Sequence, residues 1–158
     1  MRRRHEKQRG ATMVEFSIAA LVFLTALFGV LEIARMLWTY NAIADGVRLG
    51  ARYAAMNCAG STTAVKNMVM YGTAAAGETP IVHGLTADDV TVTYSNDINA
   101  GEVDFGVRQG TVTVSVAGFD FDFLLLPDVL GDVLTFPTYT VSMAGESAGY
   151  EPGGAGCG

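Results

Sequence analysis

Positive charge is scarce over most of this chain. Beyond residue 52 only Lys66 and Arg108 are basic, against twelve acidic residues, so residues 53–158 carry a formal charge of −10. A region that acidic excludes nucleic-acid binding, which needs a basic face. Histidine and cysteine are also rare, with two of each, and they do not form a metal-spaced set. His5 sits among N-terminal basic residues. His83 stands alone in "IVHGL" and reads as a solvated loop histidine. There is no nucleophile elbow and no glycine loop able to cradle a phosphate. These absences predict a protein that is not an enzyme and holds no cofactor. Proline does not occur before Pro80, so nothing in the first half breaks a long helix.

The chain does contain a sharp division of charge and hydrophobicity. Half of its 158 residues are hydrophobic, which suits one membrane segment joined to one modest water-soluble domain. Residues 1–10 hold five Arg or Lys and one acid, a balance of +4. Residues 11–31 follow, with Glu15 as their only charge. A helix of that length reaches about 32 Å, the thickness of a hydrocarbon core. A basic tip before a span belongs on the cytoplasmic side, which places the acidic region across the membrane. Glu32 and Arg35 close the span, and Trp38 and Tyr40 stand where interfacial aromatics are expected. A removed secretory signal would have a short apolar core with its small-residue cleavage site after it. Here the core is long, and the small residue, Gly10, precedes it. Glu15 needs an explanation, because a carboxylate facing hydrocarbon costs about 2.5–3.5 kcal/mol on insertion scales.

The helical pattern continues past the span, giving one helix expected from about residue 11 to about residue 56 and roughly 70 Å long. Ala42, Gly46, Gly50 and Ala54 lie four residues apart and form a stripe of small side chains. Such a stripe lets another backbone come close, either from a partner helix or from the protein's own sheet. A short second helix is expected at about 63–71, capped by Ser61 or Thr62, with Val65, Met68 and Val69 inward. "VTVTYS" at 90–95, "TVTVSVA" at 111–117 and "TYTVSMA" at 138–144 alternate with period two, the signal of half-buried strands. Residues 118–137 are open to a strand extension, a short helix or a loop. The expected fold class is α+β: a long N-terminal helix packed on a small antiparallel sheet. Four parts follow: a basic leader at 1–10, a transmembrane helix at 11–31, its extension at 32–57 and an α+β head at 58–158.

Cys58 and Cys157 bracket the head. In an oxidising compartment they are expected to form a disulfide, the alternative being two free thiols. "DINAG" at 97–101 has the start of a calcium loop. It lacks that loop's closing glutamate and flanking helices, so a polar turn is the simpler reading. Asp120 and Asp122 alternate with Phe119, Phe121 and Phe123, which reads as the solvent side of a strand.

A basic leader ending in Gly10, an acid at the fifth residue after it and then a continuous apolar helix resemble the class III signal of type IV pilin-like proteins. "GATMVEF", then Phe28, Gly29, Glu32 and Arg35, then Arg48, Gly50, Ala51, Arg52 and Ala54 resemble the TadE-like family of tight-adherence pilus systems. Many relatives have a proline where this chain has Leu21, which implies a straighter helix here. The resemblance implies a minor pilin or pseudopilin, cut by a prepilin peptidase between Gly10 and Ala11. Ala11 then becomes the mature N-terminus, and Glu15 pairs with the α-amino group of a neighbouring subunit. It also implies a single pass through the inner membrane, a cytoplasmic N-terminus and a periplasmic head. The expected partners are the peptidase, other pilins, the inner-membrane assembly platform and the lipid bilayer. A TadF-like sibling shares nearly the same signature. A membrane-anchored periplasmic enzyme or binding domain is the reading from a different class.

Overall fold

The computed structural model describes residues 3–57, 61–95, 110–124 and 133–145. They form two helices, α1 (Arg3–Met56) and α2 (Thr62–Tyr71), and five strands. The strands are β1 (Val90–Ser95), β2 (Thr111–Val116), β3 (Asp120–Asp122), β4 (Val133–Thr135) and β5 (Tyr139–Ala144). The chain divides into two compact units: Met1–Leu37 with Phe121–Leu134, and Trp38–Asp120 with Thr135–Gly158. Its class is α+β, as the periodicities predict.

The first unit is dominated by α1. This helix starts at Arg3, well before the expected start near residue 11. Gly10 costs it about 1 kcal/mol relative to alanine, but no proline follows to turn that weakness into a break. From residue 13 to residue 31 the large apolar side chains stand in the open, Phe16 at 74% and Leu21 at 68% exposure. Hydroxyls within this stretch are satisfied by the helix itself. Ser17 Oγ donates to the Met13 carbonyl at 2.8 Å and Thr25 Oγ1 to the Leu21 carbonyl at 2.9 Å. Such i−4 bonding is how a hydroxyl is carried through an apolar medium at little cost. α1 is long and apolar enough to cross a membrane.

The second unit holds the core. β1, β2 and β5 form an antiparallel sheet in the order β1-β2-β5. The register aligns the apolar rows: Val92 opposite Val114 opposite Val141, with Val90, Val116 and Tyr139 in the next row. Val112, Val114 and Val116 of the central strand are all buried. On the other face Thr113 Oγ1 and Ser142 Oγ lie 2.8 Å apart. The cover for the greasy face is shared between two helices. α2 packs on β1, while α1 reaches β5 through Tyr40, whose ring meets Tyr139 edge-on at 6.2 Å. Tyr40 also contacts Phe136 at 5.6 Å, so it belongs to an aromatic cluster and not to an interfacial belt. Trp38 is exposed, as an interfacial aromatic would be.

α2 buries Val65, Val69 and Met70, with Met68 only partly covered. Ser61 precedes it without giving a side-chain cap. The helix ends at Gly72, which takes the left-handed conformation at φ 71° and donates to the Met68 carbonyl at 3.0 Å. That conformation favours glycine. The ambiguous 118–137 stretch contributes β3 and β4, which pair as a two-stranded ribbon. Asp120 and Asp122 are exposed, and Phe119 and Phe121 are buried, as the alternation predicts.

Candidate functional site

In the first unit, Gly10, Ala11 and Glu15 all lie on α1 and are exposed. A Cβ at Gly10 would meet nothing within 4 Å. The bond expected to be cut therefore sits within a continuous helical segment. Glu15 is one turn beyond Ala11, on a surface otherwise made of side chains such as Met13, Val14, Phe16 and Ile18.

At the other end of the apolar stretch stands a charged pair buried on one side. Glu32 is only 1% exposed. Its Oε2 accepts from Arg35 Nη2 at 3.0 Å, and its Oε1 accepts from the backbone N–H of Leu124 at 3.0 Å. Arg35 also donates to the carbonyl of Asp122 and stacks over the Phe121 ring, 4.5 Å from its centroid. Two residues one turn apart thus hold the backbone and the aromatic face of residues 121–124. A buried carboxylate is tolerable when its lone pairs are occupied and a cation stands beside it, and both conditions are met. From the sequence, Glu32 and Arg35 appear as an i,i+3 pair closing the span, and nothing in that spacing reveals the grip on a strand about ninety positions away.

In the second unit, the small stripe of α1 is occupied by α2. A Cβ at Gly46 would stand 2.6 Å from the Val69 carbonyl oxygen, and one at Gly50 would stand 2.5 Å from Val69 Cγ2 and 3.4 Å from the Val65 carbonyl. Ala54 is fully buried and Ala42 partly so. The approaching backbone is that of the chain's own second helix, and neither the sheet nor a partner is needed to account for Gly46 and Gly50. Asp45 and Arg48 pair at 2.9 Å on the exposed side, and Arg48 also lies over the Tyr139 ring at 5.5 Å. His83 is exposed. Cys58, Cys157 and the 97–101 segment lie outside the described residues.

The bare apolar helix, the acid at its start and the Glu32–Arg35 pair at its end all fall within one short region. Residues 10–52 match the family model of TadE, the TadE-like proteins. The matched region runs from the glycine of the expected cleavage site through Arg52, and the sheet lies outside it. No curated protein and no solved structure matches the chain. The TadE-like match points to a protein associated with the Tad pilus, built around an N-terminal helix able to span a membrane.

Proposed function

We propose that this chain is a minor pilin, or pseudopilin, of a Tad-type pilus. It enters the inner membrane through residues 11–31 with its N-terminus in the cytoplasm and its head in the periplasm. A prepilin peptidase removes residues 1–10, and the mature subunit acts in assembling, initiating or tipping the pilus with other pilins and the membrane platform. The role is structural and not enzymatic. One observation carries this reading: a helical surface of exposed apolar side chains broken by a single carboxylate, Glu15, within the TadE-like segment. Such a surface is stable against lipid or against other apolar helices. The carboxylate is tolerable there if a cation meets it. Cleavage after Gly10 supplies that cation, because it creates an α-amino group at Ala11. The helical backbone around Gly10 must open for a peptidase to reach it, and glycine lowers that cost by about 1 kcal/mol relative to alanine.

Intact mass of the membrane-extracted protein tests the processing step. A mass corresponding to a chain that begins at Ala11 is expected, and Gly10→Leu should leave the precursor accumulating. A mature mass that retains residues 1–10 in cells with an active peptidase contradicts the reading.

A further inference from the structure

The pinned segment 121–124 presents an exposed apolar surface beside the end of the span. Leu124 is 74% exposed and Val133 51%, with Leu134 also open. On α1, Ile33 and Leu37 are exposed as well. All five belong to the same compact unit as the apolar stretch of α1. The depth of this surface follows from the clamp. Residues 11–31 of a helix cover about 32 Å, close to a hydrocarbon core of about 30 Å, so Glu32 lies at the far boundary. The 3.0 Å hydrogen bond from Leu124 N–H to Glu32 Oε1 holds Leu124 at the same level. Strand alternation sets Phe121, buried under Arg35, apart from Asp122, which is exposed.

We propose that Leu124 and Val133 form a second membrane contact, a shallow lipid-facing patch that the Glu32–Arg35 clamp holds at the outer surface of the bilayer. This rests on the reading of α1 as a membrane span. Continuity decides the occupant, because the patch extends the exposed apolar face of α1 at the depth where that face leaves hydrocarbon. A shallow contact also accounts for the mixture of side chains, since leucine and valine can enter the acyl boundary while neighbouring acids stay in the headgroup layer. A two-point attachment would fix the rotation of the helix about its own axis, which a single span leaves free.

The test uses the full chain in lipid nanodiscs. Its one tryptophan is Trp38, so Trp38→Phe provides a silent background. Tryptophan is then introduced singly as Leu124→Trp, Val133→Trp, Leu24→Trp in the span or Thr140→Trp on an exposed strand position. Quenching by lipids brominated near the glycerol or near the chain ends reports depth. The expected result is blue-shifted emission for Leu124→Trp and Val133→Trp. Both should be quenched several-fold more by shallow bromines than Thr140→Trp, with Leu24→Trp quenched most by deep ones. If Leu24→Trp is quenched and both ribbon variants behave like Thr140→Trp, the second contact is refuted while the span stands. If Leu24→Trp is itself unquenched, the membrane reading fails and the patch with it. Ribbon variants that ignore lipid and respond only when other pilin subunits are added would assign the surface to protein, which also overturns the proposal.

Discussion

Replacing Glu32 by leucine should release residues 121–124 locally without unfolding the sheet. The carboxylate is buried and accepts from both Leu124 N–H and Arg35 at 3.0 Å. A hydrogen bond to a charged acceptor contributes about 1.5–3 kcal/mol. The ion pair adds little beyond this, because the Arg35 side chain is 42% exposed and solvent screens it. Leucine fits the space, so the loss is mainly that of the Leu124 donor's partner. At about 1.4 kcal/mol per decade, the Leu124 amide should exchange with solvent roughly ten- to a hundredfold faster. Glu32→Gln keeps an acceptor oxygen but not the charge, and should fall between the two. Amides of β2 lie in the other compact unit and should not change. Residue-resolved hydrogen exchange on reconstituted protein measures all of this. An unchanged Leu124 amide in Glu32→Leu would refute the clamp. Equal acceleration across β2 would show that Glu32 supports global stability and not a local hold.

Gly46→Ala should lower the thermal midpoint. Helix propensity gains about 1 kcal/mol, but a Cβ 2.6 Å from the rigid Val69 carbonyl forces α2 outward at about 1–3 kcal/mol. Gly50→Ala meets a side-chain methyl first and should cost less, so a midpoint raised by Gly46→Ala would show the contact to be loose. Burial raises the Tyr94 phenol above its ordinary value, against a smaller opposing effect of the Ser61 side chain. Folding thus favours the protonated phenol. That stabilisation is complete below the unfolded value near 10 and is lost as pH rises through the higher folded value. Alkaline unfolding curves should show this decline, and Tyr94→Phe should flatten it. Cys58 and Cys157 should be recovered as a linked pair by non-reducing peptide mapping. Alkylation of both without reductant would rule out the bridge and weaken the periplasmic placement of the head.

How far the structure can be read from the sequence depends on which residues carry the information locally. The period-two runs at 90–95 and 111–117 name their buried rows without reference to anything distant, and the register bears them out. The four-residue spacing of Ala42, Gly46, Gly50 and Ala54 announces a close approach but is silent on its source, which proved to be α2. The same limit applies to Glu32. An i,i+3 pair is visible along a helix, whereas an acceptor waiting for the N–H of residue 124 is set only when the chain returns. The change of charge at Gly10 is likewise no guide to the helix boundary, since α1 runs through it from Arg3. Backbone hydrogen bonding continues through such a change unless a proline or a competing cap interrupts it.

The role assigned to Glu15 is the part of the account on which the pilin reading depends most directly. Removing the carboxylate by Glu15→Leu takes a charge out of an apolar surface, so insertion should be as good or better. What is lost is the counter-ion for the α-amino group of a neighbouring Ala11. Breaking such a buried pair from one side costs about 3–5 kcal/mol, two to three orders of magnitude in association. The measurement is crosslinking and co-purification of Glu15→Leu with the other pilins of its system, alongside a pilus count. The account predicts a stable, membrane-inserted, correctly cleaved subunit that no longer joins its partners. A variant that associates and supports piliation like the parent chain would contradict it.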